Sequence, residues 1–418
     1  MTAEISKSVL SGKINAISSK SDAHRLLICA ALSDAPACIE LNAFSDDIYA
    51  TQDCLCALGA KIEKTHFGFH VTPIKEVPRF AELNAKESGS TLRFLLPVCA
   101  ALGVNAKITG EGRLPKRPIG ELTNVLMKHN VSVTGSSLPL QISGKLIPGE
   151  YEMPGNISSQ YLTGLMFALP LVGNSVLKLT TKLESAGYVD MTLSALKKFG
   201  VNIEIKDGTF LIPSAKYTSC ENVTVEGDWS NSAFFLVAGA LKGSVSVSGL
   251  DINSAQGDKA VVDILKRMGA HVEVDGDIVT VKSAPLKGCE IDVSGIPDLL
   301  PVLSVAASCA EGETRFINAS RLRIKESDRL SSTACMINSL GGLAKEHPDA
   351  LTVKGLKGFA LKGGRVDSFN DHRIAMSAAI ASVICSDKVT INGAEAVNKS
   401  YPAFFKDFNS LGGRANVI

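Results

Sequence analysis

A chain of 418 residues with 45% hydrophobic side chains can bury a large core, and its length suits two or three domains. Its 43 Lys and Arg against 42 Asp and Glu leave a formal net charge of +1, which argues against nucleic acid or a membrane surface as partner, because such binders carry a basic excess. No apolar run reaches the roughly 20 residues of a bilayer span, the N-terminus lacks a signal-peptide core, and the ten scattered cysteines match no zinc or redox spacing. A cytoplasmic protein with free thiols and no metal is the expectation.

In chain order, the sequence repeats itself six times with a period of about 70 residues. It opens on an extended stretch, EISKSVLSGKINAIS, and then alternates two kinds of helix signal. One is a polar residue ahead of an apolar run: Ser21 in SKSDAHRLL, Ser90 in SGSTLRFLL, Ser159 in SSQYLTGLM, Ser230 in DWSNSAFFL, Asp298 in IPDLLPVLS and Asp371 in NDHRIAMSA. Each has the composition of an N-cap. The other is a helix closed by a small turn, at Leu58-Gly59, His129-Asn130, Phe199-Gly200, Met268-Gly269, Leu340-Gly341 and Leu411-Gly412. Alternating runs around Asp207-Gly208 and Asp275-Gly276 read as hairpins.

The helices behind the polar caps, such as LLICAAL and FFLVAGAL, are apolar nearly all round, so they belong inside a domain with sheets outside them. This predicts an α/β fold of two domains, each of three units closed around buried parallel helices. The sixth repeat stops at RANVI, after one strand of its hairpin, and the N-terminal strands are placed to complete it. The domains are then residues 1–17 plus 227–418, and an inserted 18–226. Six helix N-termini that converge favour anions, and a small, highly charged substrate is implied.

Charged residues gather at these helix starts. SKSDAHR carries Lys20, Ser21 and Arg25; ESGSTLR places Gly89 where a ligand approaches the backbone; GEGRLPKRP holds Arg113, Lys116 and Arg117 in a loop. Ser158, Ser159 and Gln160 offer neutral donors suited to a phosphate. RLRIKESDR packs Arg321, Arg323, Lys325, Glu326, Asp328 and Arg329 into nine residues, NDHR precedes an apolar run, and Lys399 precedes the last helix. Any one of these reads equally as a cap or a solvated surface; their shared phase within the repeats points to one cleft. No P-loop, dinucleotide or nucleophile-elbow motif is present.

Taken together, SKSDAHR, SGSTLR, GEGRLPKRPI, SSQYLTGL, SAGYVDMT, IPD, KESDRL, NDHRIAM and KSYP resemble, in order and over essentially the whole chain, the EPSP synthase family of enolpyruvyl transferases. The resemblance implies two domains of three βαβαββ units, a monomer, no cofactor, and two small substrates, shikimate 3-phosphate and phosphoenolpyruvate, bound between the domains. Carried over by motif, Ser21 and Arg25 hold the shikimate carboxylate; Ser158, Ser159 and Ser185 the 3-phosphate; Gln160 and Tyr188 line the site; Asp298 and Lys325 meet the ring hydroxyls, and Lys20 lies beside them. Phosphoenolpyruvate falls to Lys20, Gly89, Arg113, Gln160 and Lys399 by its phosphate, and to Arg329 and Arg373 by its carboxylate. Arg321 and Ser90 depart from the residues other members carry. The chemistry needs an acid and a base: Asp298 is the candidate base, Glu326 delivers a proton to C3, and Lys20 assists the leaving phosphate. The sister transferase acting on UDP-N-acetylglucosamine carries a Cys in the loop that reads GEGRLPKRP here. A six-repeat DNA clamp needs a basic inner surface, which net charge +1 disfavours.

Overall fold

The computed structural model describes residues 1–356 and 360–418. Its chain divides into two compact units: a continuous one, Lys20–Val225, and a discontinuous one made of Met1–Ser19 and Glu226–Ile418. The continuous unit holds helices α1 (Lys20–Leu32), α2 (Asp46–Ala57), α3 (Gly89–Leu102), α4 (Gly120–Lys128), α5 (Ser159–Ala168) and α6 (Ala186–Lys198). The discontinuous unit holds α7 (Trp229–Leu241), α8 (Val261–Met268), α9 (Leu300–Cys309), α10 (Arg329–Ser339), α11 (His372–Ala381) and α12 (Phe404–Ser410).

Odd-numbered helices are the apolar ones. In α7 every residue from Asn231 to Ala240 is buried, and α7, α9 and α11 touch one another pairwise. Even-numbered helices are amphipathic: α8 buries Val261, Val262, Ile264, Leu265 and Met268 and turns Asp263, Lys266 and Arg267 to water. The turns that close them take left-handed backbone at Gly59, Asn130, Gly200, Gly269, Gly341 and Gly412. Glycine and asparagine adopt that conformation at least cost, which is why these residue types stop the helices.

Among the described residues, six four-stranded sheets share one plan: an edge strand lies parallel to the second, and the third and fourth run antiparallel. Three strands are borrowed from afar in sequence. Thr2–Ser6 fills the third place between Val389–Asn392 and Arg414–Val417, where the other sheets use the second arm of a hairpin. Leu10–Asn15 is the edge strand beside Gly243–Ser248, and Asn222–Thr224 the edge strand beside Ala37–Glu40. The hairpin at Asp207-Gly208 turns on those two residues, both left-handed; the next turns on Gly276 and Asp277, one residue later than the Asp-Gly signal, because Asp275 still pairs with Ile278.

One close approach fixes the helix packing. Pro97 lies inside α3 and has no N–H to give the carbonyl of Arg93, four residues back. Helix α5 packs at that carbonyl through Gly164, where a Cβ would stand 2.2 Å from it.

Candidate active site

The helix starts that carry the charged motifs are capped, but not by the serines nearest the apolar runs. Ser88 accepts from Thr91 N, Ser158 from Gln160 N and Asp228 from Asn231 N, whereas Ser90, Ser159 and Ser230 fall inside the first turn. A capping residue needs extended backbone so that its side chain can fold back two or three residues; the expectation at Ser90, Ser159 and Ser230, and at Ser21, the second residue of α1, is corrected accordingly. Asp371 caps α11 as expected, while α9 starts at Leu300 with Leu299, not Asp298, at its N-cap position. The displaced residues are thereby left for other contacts.

In the continuous unit, Lys20 Nζ pairs with Asp47 Oδ2 at 2.8 Å, both half-buried. Asp47, in the first turn of α2, was not anticipated from sequence; the capped SDD run was its only signal. Arg25 is buried and ties α1 to α6, with Nε on Thr192 Oγ1 at 3.0 Å, one terminal nitrogen on the Ser21 carbonyl at 2.5 Å and the other on the Tyr188 carbonyl at 2.8 Å. Burial pushes this guanidinium down to about 10, against the pull of Asp22, so it stays charged at neutral pH. Three of its five N–H groups are committed to protein, so Arg25 acts in part as a strut. A buried chain, His24 Nδ1 to Thr51 at 2.7 Å, Thr51 to Thr91 at 2.6 Å and Thr91 to Ser88 at 2.7 Å, anchors the start of α3. Burial, then Lys20 and Arg25, hold His24 well below the usual imidazole range, so it serves this chain uncharged.

Around Gly89 the geometry is tight. A Cβ there would lie 2.5 Å from Arg93 NH1 and 2.7 Å from Arg117 NH1, so only glycine lets two guanidinium groups close over this helix start. Arg93 donates to Gln160 Oε1 at 2.8 Å and Gln160 Nε2 to Ser90 Oγ at 2.9 Å. Arg113 is exposed at the head of the turn Leu114–Lys116, and it is Arg117 that reaches Gly89. Arg93 was not singled out from sequence, and Arg117 only as one cation of the basic loop with Arg113 and Lys116, because which arginine of a loop turns inward depends on the path of the backbone. Ser158 and Ser159 begin α5; Ser185 sits at the N-cap of α6 in left-handed backbone, with Tyr188 N on its carbonyl at 3.1 Å. A non-glycine residue held there stores strain of a kind that gathers at functional sites.

The discontinuous unit builds a denser cluster. Arg329, fully buried, donates to Asp298 at 2.6 Å, Glu326 at 2.5 Å and Asp371 at 3.0 Å. Burial opposes its charge, yet Asp371, Glu326 and Asp298 outweigh that and push it above the ordinary arginine value. Asp298 also meets Arg373 at 3.4 Å and Lys325 at 3.7 Å. Lys325 is pushed down to about 8, chiefly by burial, with Asp298 opposing and Arg329 and Arg321 adding to the shift. Arg373 donates to the Ser230 carbonyl at 3.2 Å, and Lys399, buried, donates to the Asn370 carbonyl at 2.7 Å. That carbonyl is presented by Phe369 and Asn370, two successive left-handed residues. The cluster thus links three carboxylates and three cations through Arg329 and Asp298, at the starts of α9, α10 and α11.

A family model described as EPSP synthase (3-phosphoshikimate 1-carboxyvinyltransferase) matches residues 5–408. The chain belongs to this family. It is 43% identical over 424 residues to the 3-phosphoshikimate 1-carboxyvinyltransferase of Clostridium novyi (strain NT), covering 98% of this chain and 97% of that one. It is similarly 44% identical over 419 residues to the enzyme of that name from Clostridium acetobutylicum, with the same coverage. Among solved structures, an EPSP synthase from Acinetobacter baumannii matches with a TM-score of 0.82 and 26% identity over the whole of both chains. The family's α/β fold agrees with the six sheets and twelve helices above.

Proposed function

We propose that this chain transfers the enolpyruvyl group of phosphoenolpyruvate to the 5-hydroxyl of shikimate 3-phosphate, releasing phosphate. Membership of the family supports the reaction, and the observation that supports the site is the Arg329 cluster, whose carboxylates and cations suit an addition–elimination between two polyanions. C3 of the donor gains a proton and the hydroxyl attacks C2; the tetrahedral intermediate then expels phosphate from C2 while C3 gives a proton back, restoring the double bond, so an acid and a base are needed in each half.

In this reading Ser158, Ser159 and Ser185 receive the 3-phosphate, Ser21 and Arg25 the ring carboxylate, with Gln160 and Tyr188 beside them and Lys325 and Asp298 at the ring hydroxyls. The donor phosphate lies over Gly89, with Lys20, Gln160 and Lys399, and Arg117 takes the place first assigned to Arg113. Its carboxylate goes to Arg329 and Arg373. Since Arg329 is already bonded to Asp298 and Glu326, the donor carboxylate enters by replacing one of them, and a freed Asp298 can take the proton of the attacking hydroxyl. Glu326 then delivers the proton to C3, and Lys20 assists the departing phosphate. These ligands come from both units, so the active site forms when the two close on the substrates. A cytoplasmic monomer needing no cofactor completes the reading; among the described residues no helix is long and apolar enough to cross a membrane.

The direct test is phosphate release measured with each substrate alone and with both. Release that requires both together supports the reading; release from either alone, or from neither pair member, overturns it.

A further inference from the structure

One buried acid beside the Arg329 cluster has no part in the roles above. Asp258 lies in the turn Gly257–Ala260, which packs on α7 and α8. Its Oδ2 accepts the hydroxyl of Ser230, and its Oδ1, also buried, has no hydrogen-bond partner among the described residues. The residue two before it, Gln256, accepts from Trp229 N at 3.1 Å and donates to the Gly227 carbonyl at 2.8 Å. A single segment therefore grips Gly227, Trp229 and Ser230, and the Ser230 carbonyl in turn holds Arg373 NH1 at 3.2 Å.

We infer that Asp258 is a positioning residue: through the Ser230 hydroxyl it fixes the first turn of α7 beneath Arg373, and its own charge state sets how strongly that arginine attracts an anionic substrate. The groups facing it explain why its charge is free to vary. Asp228 comes from the start of α7, Asp298 from the turn before α9 and Arg373 from α11; on its own turn Lys259 is engaged at 3.1 Å with the Ile252 carbonyl, and Asp263 of α8 is exposed. Asp298 in turn carries Arg329 and Lys325. Burial, then the charge of Asp298, push Asp258 up to about 7, against Arg373 and the Ser230 hydroxyl. Below that pH the carboxyl is neutral and Arg373 is left to the substrate. Above it a negative charge appears beside Arg373 and competes with an incoming anion.

This rests on the assignment of the donor carboxylate to Arg373, and the test separates the two. Donor and acceptor KM are measured from pH 6 to 8.5 for the native enzyme, Asp258→Asn and Asp258→Ala. Asn keeps an acceptor for Ser230 and cannot ionise, so its donor KM should match the native value at pH 6 and rise about fivefold less by pH 8.5. Comparing the two enzymes cancels the titration of the substrates' own phosphates. Ala removes the charge and also releases Ser230, so its donor KM should lie above that of Asn at every pH, with acceptor KM steady. If the pH difference appears in acceptor KM instead, Asp258 keeps its role and the donor assignment of Arg373 falls. If Asn follows the native profile in both, or Ala matches Asn in both, the inference is overturned. Should Ala fail to fold, the Asn profile alone decides.

Discussion

Gly89 shows how much chemistry a missing Cβ can carry. With Arg93 NH1 and Arg117 NH1 at 2.5 and 2.7 Å from the position a methyl would take, Gly89→Ala displaces both guanidinium groups from the α3 start. Both obstacles are the far ends of flexible side chains, so folding should suffer little. Donor KM should rise at least about tenfold, or roughly 1.4 kcal/mol, while acceptor KM moves by less than about twofold; steady-state kinetics with each substrate varied in turn checks it, and an unchanged donor KM would remove the donor phosphate from this turn. Lys325 gives a second expectation. With its folded value lowered to about 8 from 10.5, the ammonium is lost as pH rises past 8, and acceptor KM should climb on that limb. Lys325→Arg should carry the limb beyond the measured range. The same shift has a sign for stability: between about pH 8 and 10.5 the unfolded chain binds the extra proton, so the burden of burying this charge is full below pH 8 and eases as pH rises through that window. Thermal unfolding of the native and Lys325→Met chains across that window should converge as pH rises.

At the scale of elements, α3 and α5 are locked by the pair Pro97 and Gly164. Proline frees the Arg93 carbonyl, and glycine lets the neighbouring helix sit against it. Gly164→Ala places a methyl 2.2 Å from that backbone oxygen, which no rotamer can relieve. Overpacking of this kind costs about 1–3 kcal/mol, read as a lower midpoint in denaturant with an unaltered slope. Since Arg93 is itself a ligand candidate, donor KM should rise in the same variant. A midpoint equal to the native one would mean that α5 can slide away from α3 freely.

On the scale of the whole molecule, the ligands of the proposed reading are divided between Lys20–Val225 and the discontinuous unit, and that reading expects the units to close on the substrates. Small-angle scattering should show a smaller radius of gyration with shikimate 3-phosphate and an unreactive donor analogue than without them. An unchanged radius at saturation would sink the closure. The chain also depends on its own distant segments: Thr2–Ser6 is an inner strand of its sheet, with partners on both sides. Deleting residues 1–6 should therefore cost cooperative folding of the discontinuous unit, whereas an edge strand could be lost more cheaply.

What could be read from sequence was whatever is periodic or local. The six left-handed stops from Gly59 to Gly412, the all-apolar helices such as α7 and the hairpin at Asp207-Gly208 follow from backbone sterics and from helical periodicity, which act within a few residues. The ligand candidates were legible only through motifs, and motifs do not say where a side chain points. Tertiary structure decided that Arg117 rather than Arg113 reaches Gly89, that Ser88 and Asp228 rather than Ser90 and Ser230 are the caps, and that Arg329 is already bonded to three carboxylates. It also brought Asp47 to Lys20, 27 residues apart, and Asp258 to Ser230, 28 apart. Desolvation and ion pairing depend on what packs around a group from other repeats, and no pattern along the chain contains that information.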